Sequence, residues 1–114
     1  MIRILLVRSK DGLLQSCSAE GHAGFAKKGK DIVCASVSNL LRTVVKLLEK
    51  EEAVELEEKS SGRGSLAFSV KNYSSDENSS NESLLKYSFE ILNLGIGQIQ
   101  KEFPDCVSLQ VVEL

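Results

Sequence analysis

A chain of 114 residues, 42% apolar and 26% charged, has an ordinary globular composition and enough length for one domain to bury a core without disulfides or a metal. Its formal net charge of -2 argues against a broadly basic nucleic-acid-binding surface, although Lys27, Lys28 and Lys30 form a local basic run. Three cysteines (17, 34 and 106) and one histidine lack the spacing of a zinc site, so a reducing compartment, no metal and no other cofactor are expected.

The first residues are apolar only until Arg8 and Lys10 intervene. No stretch approaches a membrane span and no secretory cleavage pattern follows, so a cytoplasmic protein without membrane contact is expected. Residues 2–8, Ile-Arg-Ile-Leu-Leu-Val-Arg, read as an aliphatic strand, and Lys10-Asp11-Gly12 is a turn signal. Residues 13–19 read as a second strand, which closes a hairpin. Residues 20–30, EGHAGFAKKGK, hold three glycines and no periodic apolar pattern, and read as a loop. A helix is expected from Asp31, whose carboxylate suits an N-cap, to residue 51 or so. Val33, Val37, Leu40, Val44 and Leu47 form its stripe, with Cys34, Leu41, Val45 and Leu48 beside them.

Residues 53–59 alternate, 60–64 read as a turn and 65–71 alternate again, which makes a second hairpin. The polar stretch 72–81 reads as a surface loop. A second helix is expected over 82–102, with Leu85, Phe89, Leu92, Ile96, Ile99 and Phe103 at helical spacing. Gly95 and Gly97 cost it about 1 kcal/mol each relative to alanine and suit close packing against a sheet or a partner chain. Pro104 stops this helix, and 106–114 read as the last strand. The expectation is a single α+β domain over 1–114 in β-β-α-β-β-α-β order, with a mixed or antiparallel sheet packed with two helices.

The segment 21–38, GHAGFAKKGKDIVCASVS, is where chemistry is concentrated. With Asp31 as cap, Cys34 falls on the third helical position, beside unpaired N–H groups and the positive end of the helix dipole. That setting favours a thiolate at neutral pH. His22 lies in the preceding loop, within reach of a chain that doubles back, and a cysteine next to a histidine is the arrangement for covalent attack on an acyl carbon. N–H groups at the helix start suit an oxyanion, and Ser38 lies one turn further along the face of Cys34. Spacing alone leaves the plainer readings standing. Cys34 is equally a small core residue, His22 a solvated loop residue, Asp31 only a cap, and Gly21, Gly24 and Gly29 only turn glycines. Cys17 and Cys106 read as core residues within strands.

Glu-Gly-His-Ala-Gly at 20–24, followed by Gly29-Lys30-Asp31-Ile32-Val33-Cys34-Ala35-Ser36-Val37-Ser38, resembles the signature of the ribosomal-processing cysteine protease family, called Prp. The resemblance runs over nearly the whole chain. It implies a catalytic histidine at His22 and a nucleophile at Cys34, with motif matches at Gly21, Asp31 and Ser38. It also implies a glycine-rich substrate loop over 23–30 that includes Gly24 and Gly29. The implied reaction is removal of the N-terminal extension of large ribosomal subunit protein twenty-seven, by a homodimer with no direct nucleic-acid partner. No downstream Asn or Asp stands out as a third catalytic member, so the expectation is a dyad. The rival readings are a non-catalytic ribosome-associated binding or assembly factor and a thiol enzyme of another kind.

Overall fold

The computed structural model describes residues 1–21, 30–59, 65–74 and 80–114, together with the backbone but not the side chains of Lys30 and Asp31. Seven elements follow in the expected order: β1 (Ile2–Arg8), β2 (Leu14–Glu20), α1 (Lys30–Glu49), β3 (Val54–Lys59), β4 (Ser65–Tyr73), α2 (Asn81–Glu102) and β5 (Val107–Glu113). The expected turn over 60–64 lies outside the described residues, as do residues 75–79 of the expected polar loop.

β1 and β2 form the predicted antiparallel hairpin. Gly12 supplies its turn with φ of +82°, and the Gly12 N–H donates to the Ser9 carbonyl at 3.0 Å. Leu13 still belongs to that turn, because its N–H donates to Ser9 Oγ at 3.1 Å, so β2 begins one residue later than alternation predicts. β3 and β4 make the second hairpin, and β4 continues to Tyr73 opposite Val54, two residues into the stretch read as a loop. The five strands run in the order β3-β4-β2-β1-β5. β5 lies parallel to β1, with Ile2 opposite Val107, while the other pairings are antiparallel.

Alternation decides which face is covered. Ile4 stands opposite Ala19 and Leu6 opposite Cys17, while Cys17 in turn faces Phe68. These side chains are all buried, together with Ile2 and Val107. They meet Val33, Val37, Leu41, Val44, Val45 and Leu48 of α1, and Leu85, Phe89, Leu92 and Ile96 of α2, in one core. The buried stripe of α1 is therefore centred on Leu41 and Val45, one position round from the expected line, and Leu47 is 43% exposed. Arg8 ties three elements at the far end of β1. Its guanidinium lies over the Phe89 ring at 5.6 Å and pairs with Glu113 at 3.1 Å.

The helix boundaries differ from expectation for local reasons. α1 begins at Lys30, so the backbone of Asp31 lies inside its first turn and Asp31 is not the N-cap. α2 begins at Asn81, whose buried side chain donates to the Ser74 carbonyl at 3.0 Å and so holds the end of β4 against the helix. It ends at Glu102, where the Phe103 N–H donates to the Ile99 carbonyl at 2.8 Å, just before Pro104. Cys106 sits in the following turn and not in a strand. Its carbonyl accepts from the Ile2 N–H at 2.8 Å. Gly95 faces Leu40 of α1 rather than the sheet; a Cβ there would come within 2.6 Å of Leu40 Cδ2.

Candidate active site

Cys34 is the fifth residue of α1, two positions deeper than the expected third. An α-helix leaves the N–H groups of its first turn unpaired, and by the fifth residue the N–H pairs with the carbonyl four residues back. Donors for an oxyanion therefore belong to the turn before Cys34 and not to Cys34 itself. Val33 and Val37, both buried, seat this stretch of α1 on the core, whereas Ile32 is 63% exposed and Ser38 is exposed. Cys34 lies on the border between them. It is half-buried, packed against the core on one side and reaching solvent on the other.

The three thiols thus have distinct surroundings. Cys17 is 2% exposed at the centre of β2, and burial pushes its thiol from the ordinary 9.0 up to about 12. Burial disfavours the thiolate because the charged form loses its water. Cys106 is buried in the turn before β5. Of the three, Cys34 is the one with access to solvent.

Gly21 directly follows β2 with φ of +97°. An added Cβ there would run into the main-chain carbonyl of Met1. That contact had no side-chain signal in the sequence, because one partner is a backbone oxygen and the other a missing atom. His22, Gly24 and Gly29 lie outside the described residues, and Asp31 is placed only by its helical backbone. The structure therefore places Cys34, Ser38 and the backbone of Asp31 within the first three turns of α1, and Gly21 directly after β2. Among the described residues no cluster of His, Cys, Asp and Glu is arranged to hold a metal, and no helix is long and apolar enough to cross a membrane.

The family model described as cysteine protease Prp matches residues 1–108. Among solved structures, the chain is similar to SMU.848 from Streptococcus mutans at 30% identity, covering 100% of this chain and 96% of that one with a TM-score of 0.76. It is also similar in fold to the essential ribosomal processing protease Prp from S. aureus. With a covalently linked product peptide, that protein aligns at 20% identity over 97% of this chain and 99% of its own, with a TM-score of 0.71. With a substrate peptide the identity is 19%, the same shares are covered, and the TM-score is 0.70. Among curated proteins, none matches the sequence significantly.

Proposed function

The chain belongs to the cysteine protease Prp family, and on that premise we propose that Cys34 is the nucleophile of this cysteine protease and His22 its general base. The observation that carries the proposal is the contrast among the thiols, with Cys34 half-buried at the solvent border of α1 while Cys17 and Cys106 are buried. Family membership favours catalysis over the alternative of a non-catalytic ribosome-associated factor.

The reaction follows ordinary thiol chemistry. His22 takes the Cys34 proton, and the thiolate forms a bond to the scissile carbonyl carbon, whose π electrons move to oxygen. N–H groups of the first turn of α1 stabilise that oxyanion. The tetrahedral adduct collapses as the C–N bond breaks, and the protonated imidazole gives its proton to the leaving amine. Water then adds to the thioester with His22 again as base, which releases the acid and restores the thiol. Gly21, Gly24 and Gly29 shape the substrate loop, and Asp31 and Ser38 support the dyad.

The proposed substrate is the N-terminal extension of large ribosomal subunit protein twenty-seven, which makes the chain a cytoplasmic protein of ribosome biogenesis. The S. aureus fold relative, a ribosomal processing protease with complexes of substrate and product peptides, supports this. A homodimer is part of the same reading. The outward row Tyr87, Ile91 and Leu94 on α2, 63%, 46% and 60% exposed, favours it. The test is incubation of the protein, Cys34→Ala and His22→Ala with a peptide spanning that extension, read by mass spectrometry. One cut by the native protein and none by Cys34→Ala is expected; equal cleavage by Cys34→Ala would overturn the assignment.

A further inference from the structure

Among the described residues, two glycines have left-handed backbone, and their surroundings differ. Gly12, at φ of +82°, turns the β1–β2 hairpin with nothing within 4 Å of the place a Cβ would take. Gly21, at φ of +97°, is seated directly on the Met1 carbonyl. Both backbones favour glycine, since other residues enter this region rarely and at smaller angles. Only Gly21 also needs the space.

The seat is braced by the sheet. Met1 leads straight into Ile2, whose N–H donates to the Cys106 carbonyl at 2.8 Å and which stands opposite Val107. Arg3 stands opposite Glu20, the residue before Gly21. The beginnings of β1 and β5 and the end of β2 are thus locked together at one end of the sheet. The atom facing Gly21 is backbone, with no rotamer to relieve a clash, so anything added at position 21 must displace position 21. His22 is the next residue along the chain.

We infer that Gly21 is a positioning residue of the protease, its left-handed backbone on the Met1 carbonyl setting the direction in which the chain leaves β2 towards His22. This rests on the reading of His22 as the base. A displacement of about 1 Å at a reacting group costs about 100-fold in rate, so the effect is far larger than a surface glycine would have.

The test compares Gly21→Ala, Gly21→Asn, Gly12→Ala and His22→Ala in two assays. One is the rate of Cys34 alkylation by iodoacetamide as a function of pH, and the other is kcat and KM on the extension peptide, with thermal unfolding followed alongside. Asparagine tolerates positive φ better than alanine but still carries a Cβ, so it isolates the contact with Met1 from backbone strain. Both Gly21 variants are expected to lose about 100-fold in kcat/KM, mainly through kcat, with the alkylation profile moved towards that of His22→Ala. Gly12→Ala is expected to lose thermal stability and keep both the profile and kcat. If the Gly21 variants keep the native profile, or neither folds, Gly21 serves only the fold and the inference is overturned. If His22→Ala itself leaves the alkylation profile unchanged, the dyad reading fails first and the positioning role falls with it.

Discussion

Cys34 and Cys17 differ in what surrounds the sulfur, and that difference is measurable. Alkylation of the native protein is expected to add a single label, on Cys34, whereas unfolding in guanidinium exposes Cys17 and Cys106 as well. Peptide mapping distinguishes these results, and rapid labelling of Cys17 in the native protein would contradict the burial described above. Burial also links Cys17 to stability. Its folded value is raised from 9.0 to about 12, so the folded chain holds the proton after the unfolded chain has released it. The contribution is complete below pH 9.0 and is lost as pH rises towards 12. Replacing Cys17 with alanine is therefore expected to flatten the alkaline decline seen in urea unfolding at a series of pH values. The Gly21 contact belongs to this scale too, because a single hydrogen replaced by carbon meets a fixed carbonyl.

At the scale of elements, the contact between α1 and α2 turns on Gly95. Alanine at Gly97, where nothing lies within 4 Å, is expected to stabilise α2 by about 1 kcal/mol through helix propensity alone. At Gly95 the same gain is offset because Leu40 must move away from a Cβ only 2.6 Å from its Cδ2. Thermal melts of Gly95→Ala with and without Leu40→Ala should show strong non-additivity, whereas Gly97→Ala should add simply to Leu40→Ala. The contact between α1 and β3 carries a pH signature. Desolvation raises the Glu58 carboxyl, a hydrogen bond and like charge from Glu49 raise it further, and Arg42 opposes them. A raised carboxyl favours the folded state while protonated, and that benefit is lost as pH rises through its folded value. Glu58→Gln is therefore expected to raise the melting temperature relative to the native protein more at about pH 7 than at about pH 4.

For the whole molecule, one core lies between a five-stranded sheet and two helices. Phe89 is 2% exposed within it and stacks under Arg8, so Phe89→Ala is expected to cost about 3–5 kcal/mol in denaturant unfolding. The proposed homodimer is a property of the same scale. Ile91→Glu on the outward row of α2 is expected to shift sedimentation equilibrium towards the monomer mass and leave the fold intact, and an unchanged mass would remove that row from the interface.

The element order was legible in the sequence because alternation and helical spacing are local, and because Gly12 and Pro104 interrupt the chain where they stand. The chemistry at Cys34 was legible as a motif, since residues 20–24 and 29–38 lie close along the chain and carry their own pattern. Several boundaries were misread by the same local logic. Asp31 has the side chain of a cap but sits in the first turn of α1, and Asn72 and Tyr73 are polar in context yet belong to β4. The pairing of β5 with β1, the placement of Gly95 against Leu40 and the Met1 carbonyl beneath Gly21 join residues far apart in the sequence. Such contacts involve backbone atoms and absent side chains, which leave no periodicity to read. Local propensity determined the elements and the motif; packing between distant elements decided which thiol meets solvent and which glycine has no room for a side chain.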